Sequence, residues 1–160
     1  MAKISFSCSS EQIKFLLSNK RSLKDWIAKT IANERLFLSE LSFIFCDDEY
    51  LYSINKKFLK HNTYTDIITF DYLRNIVDSK QLTIDKKSKI NKSAISGEIF
   101  ISIERVKENA KKFKTVFENE LHRIMIHGVL HLCGYNDKSS SGKKTMSKKE
   151  DYYLSLRKFI

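Results

Sequence analysis

The amino-acid sequence predicts an α+β protein in which a four-stranded mixed sheet is backed by helices. Three observations carry that prediction. Short β-branched and aromatic runs alternate with amphipathic stretches, giving the order β-α-β-α-β-β-α-α-α. Hydrophobic residues make up 42% of the chain and aromatics 12%, enough apolar surface to close a core. The 160 residues suit one such core, and neither an internal repeat nor a linker divides them, so residues 1–160 are read as one domain.

Each element has its own signal. Residues 3–8, KISFSC, alternate apolar and polar and predict a strand. Residues 22–37 predict an amphipathic helix. Ser22 is placed to cap it, and Leu23, Trp26, Ile27, Thr30, Ile31 and Glu34 recur at helical spacing. ELSFIFC over 40–46 reads as a buried strand, after which Asp47 caps a short helix, 48–58, with Leu51, Ile54 and Phe58 on one face. DIITFDY over 66–72 is β-branched and aromatic and predicts a strand. The polar, Lys-rich stretch 74–95 reads as a long surface loop. Gly97 opens the strand GEIFISI, and a helix over 104–117 follows, with Val106, Ala110, Phe113 and Phe117 inward. Another helix runs from about Glu118 through His131. A Ser/Gly/Lys loop over 139–144 and a last helix over 146–158 complete the chain.

The net charge of +10 suits a polyanionic partner, most simply a nucleic acid, although the basic residues are spread along the whole chain. No apolar stretch approaches the roughly 20 residues of a membrane span, and the N-terminus lacks the apolar region of a secretory signal. Cys8, Cys46 and Cys133 are odd in number and widely spaced, which points to a reduced, cytoplasmic compartment.

The chemistry concentrates in LHRIMIHGVLHLCGYND, residues 121–137. His127 and His131 stand four apart, so on a helix both imidazoles lie on one face and can clamp one cation. Gly134 is placed to end that helix in the left-handed conformation and turn the chain back, which lets Asp137 deliver a third ligand. Two imidazoles and a carboxylate form a catalytic zinc set with one position left open; the same set also accepts nickel, cobalt or iron. The pattern resembles the zincin helix of metalloproteases, but Gly128 stands where those enzymes carry the glutamate base, which argues against a peptidase. Cys133 falls about 200° round the helix from His131 and reads as a core residue. His122 is displaced about 140° from His127 and reads as an exposed helix residue.

These residues resemble the YbeY family of bacterial endoribonucleases that mature rRNA. The family's H-G-x-L-H-L-x-G-Y-D-H stands here as His127-Gly128-Val129-Leu130-His131-Leu132-Cys133-Gly134-Tyr135-Asn136-Asp137, with Asp137 replacing the usual third histidine. Asn55 followed by Thr65-Asp66-Ile67-Ile68-Thr69-Phe70, and Gly97-Glu98-Ile99-Phe100-Ile101, match two further family blocks in order. Leu59 occupies the position of a family arginine associated with RNA handling, and the point charges of Lys57, Lys60 or His61 are not equivalent to a guanidinium.

The resemblance implies a single-strand-specific, zinc-dependent endoribonuclease. One ion on His127, His131 and Asp137 would activate water, rRNA precursors would be the substrate, and the ribosome would be the setting. Lys57, Lys60, His61, Thr65 and Lys138 are the candidate RNA contacts, and Lys56, Lys143 and Lys144 could add to them. Thr65 and Asp66 either line the cleft or cap the preceding turn. Tyr135, Tyr64 and Phe58 could stack on unpaired bases, with packing as the alternative for Phe58; Met146 either packs beneath the metal site or belongs to the ordinary core. Attack by the substrate's 2′-OH in place of water would leave a cyclic phosphate. Two other readings remain open: an RNA-binding ribosome assembly factor with a mainly structural metal, and a metallohydrolase of another substrate.

Overall fold

Alternation along a strand sends neighbouring side chains to opposite faces of a sheet, and here it builds two unequal apolar layers. The computed structural model describes residues 3–73 and 93–160. Its strands are β1 (Lys3–Cys8), β2 (Phe37–Cys46), β3 (Ile67–Asp71) and β4 (Ala94–Ser102). Its helices are α1 (Lys20–Asn33), α2 (Asp48–Leu59), α3 (Ile103–Lys112), α4 (Phe117–Leu132) and α5 (Ser140–Ser155). The sheet order is β1-β2-β4-β3; β1 and β4 run parallel to β2, and β3 runs antiparallel to β4, so the sheet is mixed. The expected loop over 74–95 falls largely outside the described residues, and β4 begins at Ala94, ahead of Gly97. No helix among the described residues is long and apolar enough to cross a membrane.

The larger layer joins Leu41, Phe43 and Phe45 of β2 and Ile95, Ile99 and Ile101 of β4 to α1, α3, α4 and α5. Helix α1 contributes the predicted stripe, Leu23, Trp26, Ile27, Thr30 and Ile31. The smaller layer lies on the other face, where Leu51 and Ile54 of α2 cover Cys46 and Ile68, flanked by Phe70 and Phe100. Asp47 caps α2 by accepting from the Tyr50 N–H at 2.8 Å. Buried Asn55 donates to the Thr63 carbonyl at 2.8 Å and so fixes the connection into β3.

Helix α4 is buried on nearly every side and packs against β3, β4, α1, α3 and α5. Its burial corrects one expectation. His122 is not exposed: it is 4% accessible, between Trp26 and Phe159. Arg157 donates to its Nδ1 at 2.8 Å. Two aromatic expectations also change, since Phe58 and Phe113 are 58% and 59% exposed.

The stretch read as a loop over 139–144 is the first turn of α5. Ser139 caps it by accepting from the Gly142 N–H at 3.0 Å. The composition misleads because Gly142 serves close packing rather than flexibility: a Cβ there would lie 2.6 Å from the Asn136 carbonyl oxygen. Met146 is consequently mid-helix and 2% exposed, in the main core.

Burial, together with the Arg157 charge, pushes His122 down from the ordinary 6.5 to about 4. Between those values the unfolded chain binds a proton that the folded chain refuses. Stability from this site is therefore complete above about pH 6.5 and is lost as the pH falls toward 4, by up to about 3 kcal/mol. His122→Gln keeps an acceptor for Arg157 and should flatten that dependence. Urea unfolding of both metal-free chains across the window measures the difference, and parallel pH profiles would contradict it.

Candidate metal centre

The last turn of α4 is built to present His127 and His131 together. The helix ends in a Schellman turn: the Gly134 N–H donates to the His131 carbonyl at 3.0 Å, and the Tyr135 N–H to the Leu130 carbonyl at 3.1 Å. Gly134 has φ 105°, a conformation that disfavours any side chain. The reversal returns Asp137 to the face carrying both histidines. The Asp137 Oδ2 lies 3.5 Å from His127 Nε2 and 3.8 Å from His131 Nε2, and the two Nε2 atoms are 2.9 Å apart. Among the described residues this is the one group of three or more His, Cys, Asp or Glu side chains with metal-binding geometry.

The opposite nitrogen of each ring decides what the cluster can hold. His127 Nδ1 lies 2.9 Å from Glu150 Oε1, and His131 Nδ1 lies 3.0 Å from the Tyr135 carbonyl oxygen. Both partners are acceptors, so both Nδ1 atoms carry hydrogen. In the neutral rings each Nε2 then bears a lone pair, and two lone pairs and a carboxylate converge on one point. That arrangement calls for a cation at its centre. Bond lengths of 2.0–2.1 Å to a tetrahedral ion imply donor separations of about 3.3 Å, and the three observed separations bracket that value. The donor set therefore fits zinc, and the carboxylate–histidine pairing fits the outer shell of such sites.

Charge around the cluster is unevenly distributed. Burial alone would lower the His127 pKa, but Glu150 at hydrogen-bond distance, with Asp137 and Asp66 beyond it, raises it above the ordinary value. His131 is lowered by burial and by the neighbouring His127. Glu150 is held in turn by Arg123, whose Nη1 lies 3.7 Å from Oε2.

Sequence reasoning found the three converging side chains and missed their supports, Glu150 and the Tyr135 carbonyl. Gly128 lies on the buried side of α4, where a Cβ would meet Ile67 Cδ1 at 2.9 Å and Ile99 at 3.0 Å, so that position has no room for a glutamate base. Cys133 is half-buried at the helix end and packs against the main core.

The candidate RNA residues do not gather in the cluster. Lys57, Lys60, His61 and Lys138 are exposed, the first three along the end of α2 and Lys138 beside Asp137. Thr65 is half-buried and its hydroxyl donates to the Ile67 carbonyl at 3.2 Å. Asp66 accepts from Asn109 at 3.1 Å while its charge reaches His127, so it braces the turn and also faces the centre electrostatically.

Fold and site together define a small α+β protein that presents a His–His–Asp cluster of metal-binding chemistry at the end of a buried helix. The sequence model of the family described as Endoribonuclease YbeY matches residues 5–157. Proteins of that name from Flavobacterium johnsoniae and Karelsulcia muelleri are 42% and 47% identical over 145 and 143 residues. Those alignments cover 91% and 89% of this chain and 92% and 89% of the relatives. The solution structure of a Thermotoga maritima protein shares the fold, with a TM-score of 0.58 and 24% identity over 96% of this chain and 87% of that one. The chain belongs to the YbeY family.

In the metal-free chain His127 should titrate above 6.5 and His131 below it. Imidazole 1H–15N spectra across pH 4–9 resolve the two, and a reversed order would show that Glu150 does not govern His127.

Proposed function

We propose that this chain is a zinc-dependent, single-strand-specific endoribonuclease, a single hydrolase domain spanning 1–160 with one zinc ion on His127, His131 and Asp137. The observation that carries the metal is the convergence of two Nε2 lone pairs and a carboxylate, each imidazole fixed by an acceptor behind it. The nuclease activity is supported by membership of a family described as endoribonucleases. When bound, zinc supplies a Lewis acid that makes water acidic enough to react near neutral pH and that stabilises charge on a phosphoryl oxygen.

The protein groups position and balance that chemistry. His127 and His131 hold fixed orientations through Glu150 and the Tyr135 carbonyl. Asp137, with its side chain 40% accessible, stands at the solvent side, where a phosphodiester can approach. The net charge of +10 favours a polyanion, with Lys57, Lys60, His61 and Lys138 as exposed contacts and Thr65 at the turn. Attack by water and attack by the RNA 2′-OH differ in their products, the second leaving a cyclic phosphate. The reading extends to rRNA precursors as substrate, the ribosome as partner and the cytoplasm as compartment, the last in keeping with three cysteines that are odd in number and widely spaced along the sequence.

One observation favours a second reading. Leu59, 43% exposed, occupies the position that the family resemblance gives to arginine, as expected of an RNA-binding assembly factor whose metal is mainly structural.

Cleavage of a single-stranded RNA by the zinc-loaded chain tests both. His131→Ala, or chelation, should lower the rate roughly a thousandfold, equivalent to about 4 kcal/mol of transition-state stabilisation. Binding should weaken steeply with salt. Equal cleavage by wild type and His131→Ala would exclude zinc catalysis, and salt-sensitive binding without cleavage would favour the assembly factor.

A further inference from the structure

Glu34 lies at the end of α1, far from the metal cluster in sequence, with its side chain only 10% accessible. Three donors converge on its carboxylate. The Tyr135 hydroxyl donates to Oε2 at 2.7 Å, the Lys149 ammonium donates to Oε1 at 2.9 Å, and the Tyr153 hydroxyl also donates to Oε1. The donors come from two places that matter to the cluster: Tyr135 from the reversal after α4, and Lys149 and Tyr153 from α5, the helix that carries Glu150.

Tyr135 is the link. Its N–H closes the Schellman turn on Leu130, its carbonyl accepts from His131 Nδ1 at 3.0 Å, and its hydroxyl is held by Glu34. The backbone bonds set where the residue sits along the chain. The side-chain bond to an anion on a separate helix resists rotation of the reversal about the helix end. Lys149 also lies over the Tyr135 ring, 5.3 Å from its centroid, so the ring is held on its face and at its tip.

We propose that Glu34 is a positioning residue for the metal centre, holding Tyr135 so that its carbonyl fixes the imidazole of His131. The reach runs from carboxylate to phenol, through the Tyr135 main chain, to Nδ1 of the ligand. The same carboxylate, through Lys149 and Tyr153, ties that reversal to α5 and therefore to Glu150, which orients His127. One buried anion thus registers both histidine supports against each other. This inference rests on the metal reading of the cluster.

Tyr135→Phe removes only the hydroxyl that Glu34 holds and keeps both the ring and the carbonyl. Zinc affinity, measured by competition with a chromophoric chelator, should fall about tenfold, the lower end of the range for outer-shell partners. Glu34→Gln, which keeps the shape but removes the charge, should fall in the same direction. The control is Trp26→Phe, which removes the bond from Trp26 Nε1 to the Tyr153 carbonyl (2.9 Å) and loosens α1 from α5 without touching Glu34. It should lower the melting temperature of the metal-free chain and leave zinc affinity unchanged.

A tenfold loss in Tyr135→Phe alongside wild-type affinity in Trp26→Phe supports the proposal. Wild-type affinity in Tyr135→Phe overturns it, as does an equal loss in Trp26→Phe, which would make the effect one of general packing. A wild-type chain that binds no zinc removes the metal reading itself, and this inference with it.

Discussion

The arrangement of this protein depends on an electrostatic conflict set up by hydrogen bonds. Each histidine of the cluster is obliged by an acceptor behind it to place hydrogen on Nδ1, which leaves the two Nε2 lone pairs facing each other at 2.9 Å beside a carboxylate. Left alone, such a group repels itself. A proton shared between the rings relieves the conflict in part, consistent with the raised pKa of His127 and the lowered pKa of His131. A divalent cation relieves it fully, because it accepts all three donors at once.

Holding that conflict in place is the work of the fold. The imidazoles sit at the end of the most buried helix, so their backbone cannot move apart without disturbing the core packed on β3 and β4. The Schellman turn at Gly134 then sets the direction in which Asp137 returns. Helix α5 supplies Glu150, and the donors that α5 directs at Glu34 tie it to the end of α1. Elements from both ends of the chain therefore meet behind one face of α4.

Local signals in the sequence reveal the parts of this arrangement that are local. The stripe of α1, the i,i+4 histidine pair, the glycine stop and the returning aspartate all lie within a turn or two of one another, where helical geometry relates spacing to position. The individual strands were legible too, through alternating and β-branched or aromatic runs. Glu150, Glu34 and His122 were not legible. Each acquires its role from a partner 23 to 119 residues away: His127 for Glu150, Tyr153 for Glu34 and Arg157 for His122. A polar residue on an amphipathic helix looks solvated until the element that covers it is known. The first turn of α5 failed in the opposite direction, since Ser and Gly are common in loops, yet here one caps the helix and the other makes room for the Asn136 carbonyl.

On the proposed zinc reading, a carboxylate at Asp137, where the family resemblance gives a third histidine, changes how charge is divided across the molecule. A dication held by two neutral imidazoles and one carboxylate carries a net charge of about +1, and the Glu150 carboxylate behind His127 brings the immediate surroundings close to neutral. The centre would thus attract a phosphodiester only at short range, where the ion meets an oxygen directly. On the proposed function, attraction at longer range would come from elsewhere in a chain of net charge +10. Docking and chemistry, on the proposed function, fall to different groups. On that reading, lysines that contribute to docking would act through a field that salt screens, and the cluster through bonds that salt scarcely touches.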